Sequence, residues 1–170
     1  RLAYPSISDD GNTITVLDWS TEEIFYFENQ SSTPKYRFPP LENGGAQAKA
    51  RTTADGDTIV INEGNTLRLF DISNLTNPKK TETFSHMIQY LVVSDDNSTI
   101  VISELDGDLH LYDIVNESII WVNNSLTNRQ GQQNSPQVDI SDDGGVIVGC
   151  VRGSLFIFDR YNQVPTYEEH

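Results

Sequence analysis

One cysteine, Cys150, stands in a chain of 170 residues, so no disulfide can form within it. Cations are scarce: 11 Lys and Arg against 25 Asp and Glu leave a net charge of −14. So acidic a surface repels phosphate backbones and anionic lipid headgroups, and nucleic acid is not expected as a partner. Lys79–Lys80 is the only basic doublet. No apolar run nears the roughly 18 residues that cross a bilayer as a helix, so no membrane insertion by this segment is expected. No Gly-x-Ser-x-Gly elbow occurs, and Gly44-Gly45 and Gly144-Gly145 lack the Lys and following helix of a phosphate loop. The histidines, His86, His110 and His170, show no metal-ligand spacing. Helical periodicity of useful length is missing as well. The chain opens at Arg1 without an initiator Met, as a processed product or a piece of something longer would.

What is present is a repeat. One turn recurs as Ser8-Asp9-Asp10-Gly11, Thr53-Ala54-Asp55-Gly56, Ser94-Asp95-Asp96-Asn97 and Ser141-Asp142-Asp143-Gly144. Its third residues are spaced by 45, 41 and 47 positions, the period of propeller blades. A candidate strand precedes each turn (Tyr4–Ser8, Ala50–Thr53, Tyr90–Ser94, Gln137–Ser141). A β-branched run follows each one (Thr13–Leu17, Thr58–Ile61, Thr99–Ile102, Val146–Val151). A third run then closes on an acidic residue: Glu28, Asp71, Asp113 or Asp159. Fourth strands are weaker, at Tyr36–Phe38, Thr81–Ser85 and Ile119–Val122, and poorest at Val164–Glu169. Runs such as Ile100-Val101-Ile102, apolar on every residue, read as strands buried on both faces. The expectation is all-β: four blades of about four antiparallel strands, at 1–45, 46–86, 87–132 and 133–170. They would form one propeller domain, as a small ring, an open arc or part of a larger propeller.

The Ser-x-Asp-Gly turn, the β-branched strand and the Gly-x-Leu-x-x-x-Asp that follows resemble quinoprotein-like and WD-repeat-like propellers, including those of microbial and archaeal surface proteins. Gly107-Asp108-Leu109-His110-Leu111-Tyr112-Asp113 and Gly153-Ser154-Leu155-Phe156-Ile157-Phe158-Asp159 are the best copies. The Trp-Asp dipeptide is missing. The resemblance is specific for fold and nearly silent on function. By elimination, the expectation is a non-enzymatic scaffold or interaction module, extracellular or at the cell surface, binding a protein partner or, through apolar end faces of an open arc, other copies head-to-tail in a ring or filament. Two alternatives are a fragment of a quinoprotein-like dehydrogenase or a sugar- or cation-binding sensor, and an intracellular interaction platform. A quinone enzyme would need a tryptophan floor, for which only Trp121 has the matching position.

Five Asn-x-Ser/Thr sequons, at Asn29, Asn74, Asn97, Asn116 and Asn123, all fall in predicted loops and are candidate N-glycan acceptors. The paired aspartates of the turns are too few oxygens for calcium. No cofactor, catalytic residue or metal site is expected. The densest acidic cluster, Glu104-Leu105-Asp106-Gly107-Asp108, makes Asp106 and Asp108 the best cation candidates, although a hairpin loop suffices to explain them. His110, on an alternating strand, reads as structural. Recognition is expected on loops entering inner strands, at His86, Met87, Gln89 and the polar 128–134 stretch with Arg129. Cys150, in an apolar run, reads as a small buried hydrophobe.

Overall fold

The computed structural model describes residues 2–18, 20–29, 31–41, 48–124, 126, 136–151 and 153–169. Arg129 and the rest of 128–134 lie outside them, as do Trp19 and His170. Among the described residues there is no helix. Sixteen strands form four separate antiparallel sheets, each a simple meander. The chain divides into two compact units, Arg1–Phe84 and Ser85–His170.

The first unit holds sheet β1–β4 (Leu2–Ile7, Thr13–Asp18, Glu23–Glu28, Tyr36–Arg37) and sheet β5–β8 (Lys49–Thr52, Thr58–Glu63, Thr66–Asp71, Lys80–Thr83). Alternation decides which residues meet. Leu17 pairs with Ile24 and Thr15 with Tyr26, which puts these four on one face. That face packs on Ala50, Ile59, Ile61 and Phe70 of the second sheet. Phe38 meets Phe70 edge to face at 4.9 Å. The inner strand β5 lies against β1 and β2, so first strand stacks on first strand, as in successive blades.

The second unit repeats the plan with β9–β12 (Ile88–Val93, Thr99–Glu104, Leu109–Asp113, Ser118–Asn123) and β13–β16 (Gln137–Ile140, Val146–Val151, Ser154–Asp159, Asn162–Glu169). Here β13 lies on β9 and β10, and β16 on β12. The core between the sheets joins Val101, Leu109, Leu111 and Trp121 to Ile147, Phe156 and Phe158. Strands β6 and β10 are buried at all six positions; the apolar runs Ile59–Ile61 and Ile100–Ile102 foretell the middle of each, and the polar residues that flank them are buried as well.

The four recurring turns are one device. In each, the first residue's hydroxyl donates to the aspartate two positions on (Ser8 to Asp10, Thr53 to Asp55, Ser94 to Asp96 at 2.6 Å, Ser141 to Asp143 at 2.7 Å). The same hydroxyl accepts the N–H that opens the next strand, from Thr13, Thr58, Thr99 or Val146. The aspartate accepts a second N–H, from Asn12, Asp57, Ser98 or Gly145. The fourth residue takes positive φ: Gly11, Gly56 and Gly144 at 73°, 77° and 67°, and Asn97 at 63°. Asn is the side-chain-bearing residue that best tolerates this region, which is why the third copy dispenses with glycine.

The weakest expected strand, Val164–Glu169, is present, and one expectation, the burial of Cys150, is corrected. Strand β16 is the longest, at eight residues, although it reads as poor. It is an edge strand exposed nearly throughout, so it carries no hydrophobic signal, and Pro165 is tolerated on an edge. Cys150 is exposed. Strand parity puts it opposite Leu155, on the face of β14 that turns away from the core.

Candidate functional site

The β10–β11 hairpin ends in a tight turn in which Gly107 N–H donates to Glu104 C=O at 3.1 Å and Glu104 N–H to Asp108 C=O at 2.8 Å. Gly107 adopts φ 106°. The entry to β9 runs beside it, held by Leu105 N–H donating to Met87 C=O at 2.8 Å. These backbone bonds bring together five titratable side chains from four places in the chain: His86 before β9, Glu104 at the end of β10, Asp106 and Asp108 in the turn, and His110 on β11.

Glu104 is the hub. Its side chain is 1% exposed. One oxygen, Oε2, accepts the His86 backbone N–H at 2.5 Å and lies 3.5 Å from His86 Nδ1. The other, Oε1, has no hydrogen bond of regular geometry, though His110 Nε2 stands 2.5 Å away. His86 Nδ1 reaches Asp106 Oδ2 at 2.6 Å, toward solvent. The donors form two triads that share Glu104: an outer one with His86 and Asp106, and an inner one with Asp108 and His110. Within each triad the donor atoms lie within 4.8 Å of one another.

The electrostatics follow from burial. It raises the Glu104 carboxyl above its ordinary range; the His86 N–H opposes this and the neighbouring Asp106 charge adds to it. Burial likewise raises Asp108, assisted by Asp106 and Glu104, and holds His110 below the usual imidazole value against the pull of Asp108 and Asp106. Three carboxylates thus share a half-buried space with two imidazoles, in an acidic chain. Such a donor set suits a proton network or a cation.

Asp106 and Asp108 are therefore in the cluster, as the sequence indicates, and so is His86, expected on a recognition loop. Met87 is exposed beside them, and Gln89 is half-buried on β9. Glu104 lies in the same acidic run as Asp106 and Asp108, whereas spacing along the chain hides the part of His110, which reads as structural. His110 pairs with Ile102, and the register brings it to Glu104 across the hairpin; only a correct hairpin register reveals this. Trp121 packs on Phe158 at 5.6 Å and donates its indole N–H to Arg160 C=O at 2.9 Å. It is a residue of the core between sheets.

Of the sequons, Asn29, Asn74 and Asn116 are exposed outside the strands, and Asn97 is half-buried in its turn. Asn123 instead ends β12, buried, with its amide donating to Gln163 C=O at 2.6 Å. In the first unit, a cleft of about 210 Å³ is lined by Phe38, Pro40, Leu41, Phe70, Leu75 and Pro78. Its titratable groups are Glu63 and Arg68, paired with each other at 2.6 Å. No protein-family model and no curated protein matches this sequence.

Proposed function

We propose that the chain is a non-enzymatic scaffold of propeller type that associates head-to-tail through the outer faces of its first and last sheets, each face covered by a blade of a second copy. The observation that carries this reading is the composition of those faces. On the first sheet, the face turned from β5 bears Ile7, Ile14, Val16, Phe25 and Phe27. Ile7 is 61% exposed, and Arg37 lies over the Phe25 ring at 5.0 Å. On the last sheet, the face turned from β9 bears Val146, Val148, Cys150, Leu155, Ile157 and Tyr167. Val146 and Tyr167 are about half exposed. Contiguous apolar sheet surface of this kind favours association. Two unlike faces pair heterologously, which builds rings or filaments.

Sedimentation velocity across a range of protein concentrations is expected to show growth beyond the monomer. Cys150 supplies a reporter, because a covered face slows its reaction with a thiol reagent. Ile157→Glu should keep the protein monomeric and Cys150 reactive. A wild-type chain that stays monomeric at high concentration, with Cys150 as reactive as in the variant, would overturn the reading.

We place this scaffold outside the cell or at its surface, bearing N-linked glycans. Support comes from the exposure of Asn29, Asn74 and Asn116. The intact mass of protein from its native source should exceed the polypeptide mass and fall on glycosidase treatment, with occupied sites among these three and Asn123 unmodified. A native mass equal to that of the bare polypeptide would remove the glycans and the support for this location.

A further inference from the structure

We infer that the inner triad, Glu104, Asp108 and His110, is a binding site for one divalent transition-metal ion of the zinc class, unrelated to association through the end sheets. Three observations converge. The first is the Oε1 oxygen of Glu104, buried and without a regular hydrogen bond, on the side of the carboxylate that faces His110. A buried carboxylate oxygen that meets an imidazole nitrogen at 2.5 Å without a regular hydrogen bond is poorly satisfied, and a cation between the two atoms satisfies both. The second is the donor set, one imidazole and two carboxylates, within 4.8 Å of one another. A tetrahedral ion with bonds of about 2.0 to 2.1 Å separates its donors by roughly 3.3 Å. The 2.5 Å between His110 Nε2 and Glu104 Oε1 then needs to open by less than about 1 Å, within the reach of side-chain rotation. The third is the surrounding charge, with Asp106 adding a third carboxylate at the rim.

The imidazole decides the class of ion. Calcium and magnesium take oxygen ligands, whereas a nitrogen–oxygen set suits zinc and its first-row neighbours. The outer triad supports the site rather than competing for the ion. The His86 N–H fixes Glu104 Oε2 at 2.5 Å, and the His86 ring is engaged by Asp106 at 2.6 Å. Hydrogen bonds of this kind orient a ligating carboxylate. His86 is half exposed and Asp106 one-third exposed, which leaves the route from solvent on that side. A bound ion would tie the β10–β11 turn to the strand beyond it and, through His86, to the entry of β9.

The test is a titration of metal-stripped protein with Co²⁺, followed by visible absorption, and with Zn²⁺, followed by calorimetry and thermal unfolding. The expected result is saturation at one equivalent, the visible band of a low-coordinate cobalt site, its displacement by Zn²⁺ and not by equimolar Ca²⁺, and a melting temperature that rises with Zn²⁺. Glu104 and His110 are buried, so their variants are liable to unfold. Asp108→Asn, half-buried, is the primary variant and should weaken Zn²⁺ at least about tenfold, with an unchanged circular dichroism spectrum. Asp142→Asn, an acidic change in another turn, should bind as wild type does. The inference is overturned by the absence of a one-equivalent Co²⁺ band, by equal displacement with Ca²⁺, or by Asp108→Asn binding Zn²⁺ as tightly as wild type. The last result would mark general attraction to an acidic surface.

Discussion

Gly56→Ala and Gly144→Ala are each expected to destabilise their unit by about 2–4 kcal/mol, and Gly11→Ala by only about 1–2 kcal/mol, although all three occupy the same place in the same turn. The common part is conformational, since each has φ between 67° and 77°, where a Cβ crowds the backbone. The difference is steric. A Cβ on Gly11 meets nothing within 4 Å. On Gly56 it would stand 2.7 Å from Thr13 Oγ1 and 3.1 Å from Thr13 Cβ. On Gly144 it would stand 2.8 Å from Thr99 Oγ1 and 3.2 Å from Arg160 Nη1. The turns of the second and fourth sheets therefore seat directly on a threonine of the sheet before. Backbone bonds reinforce both seats: Asp9 N–H donates to Ala54 C=O at 2.9 Å, and Asp96 N–H to Asp142 C=O at 2.8 Å. Urea midpoints of the three variants would measure the ranking, and Thr13→Ala combined with Gly56→Ala should recover part of the loss. Equal losses at all three glycines would show that the close approach contributes nothing.

The seat also explains why so much of the architecture can be read from the sequence while the candidate site cannot. The turn is a local object. Its hydroxyl, carboxylate and positive-φ residue are four consecutive positions, so chemistry and spacing coincide in the text. Its repetition at 45, 41 and 47 residues then announces successive sheets. The metal cluster has no such compactness. Its carboxylates are near one another in sequence, but His86 and His110 reach Glu104 only through the β9–β10 and β10–β11 registers. Those registers include a bulge between Ser103 and Glu104. Cys150 and Asn123 failed to be placed for a related reason. Whether a strand residue faces the core or solvent is a matter of parity, and one position of shift reverses it. Strand β16 shows the converse: held by backbone pairing to β15 and nearly all exposed, it has no pattern to read.

Removing the hydroxyl that closes the turn should be most costly where the turn is buried. Ser94→Ala is expected to lower stability by about 1–3 kcal/mol at neutral pH. Ser94 is 2% exposed, and its Oγ accepts the buried Thr99 N–H at 3.0 Å while donating to Asp96 at 2.6 Å. Without it, a buried donor loses an acceptor that water cannot replace. Ser141→Ala breaks the same bonds at an exposed copy, where water can substitute, and should cost clearly less. The aspartate arm of the device adds a pH dependence. Burial raises the Asp96 carboxyl, but the Ser94 and Ser98 bonds and the Arg160 charge outweigh it, and the net position is below the ordinary aspartate value. Asp10 and Asp143 are lowered chiefly by the Ser8 and Ser141 hydroxyls. A carboxyl whose pKa is depressed on folding contributes its stability above the unfolded value and loses it as pH falls through the folded one. The gap in urea midpoint between wild type and Asp96→Asn should therefore be constant at neutral pH and close only below about pH 4. A gap that persisted unchanged to pH 2 would mean that Asp96 acts by shape alone, and that the charge in the turn carries none of its stability.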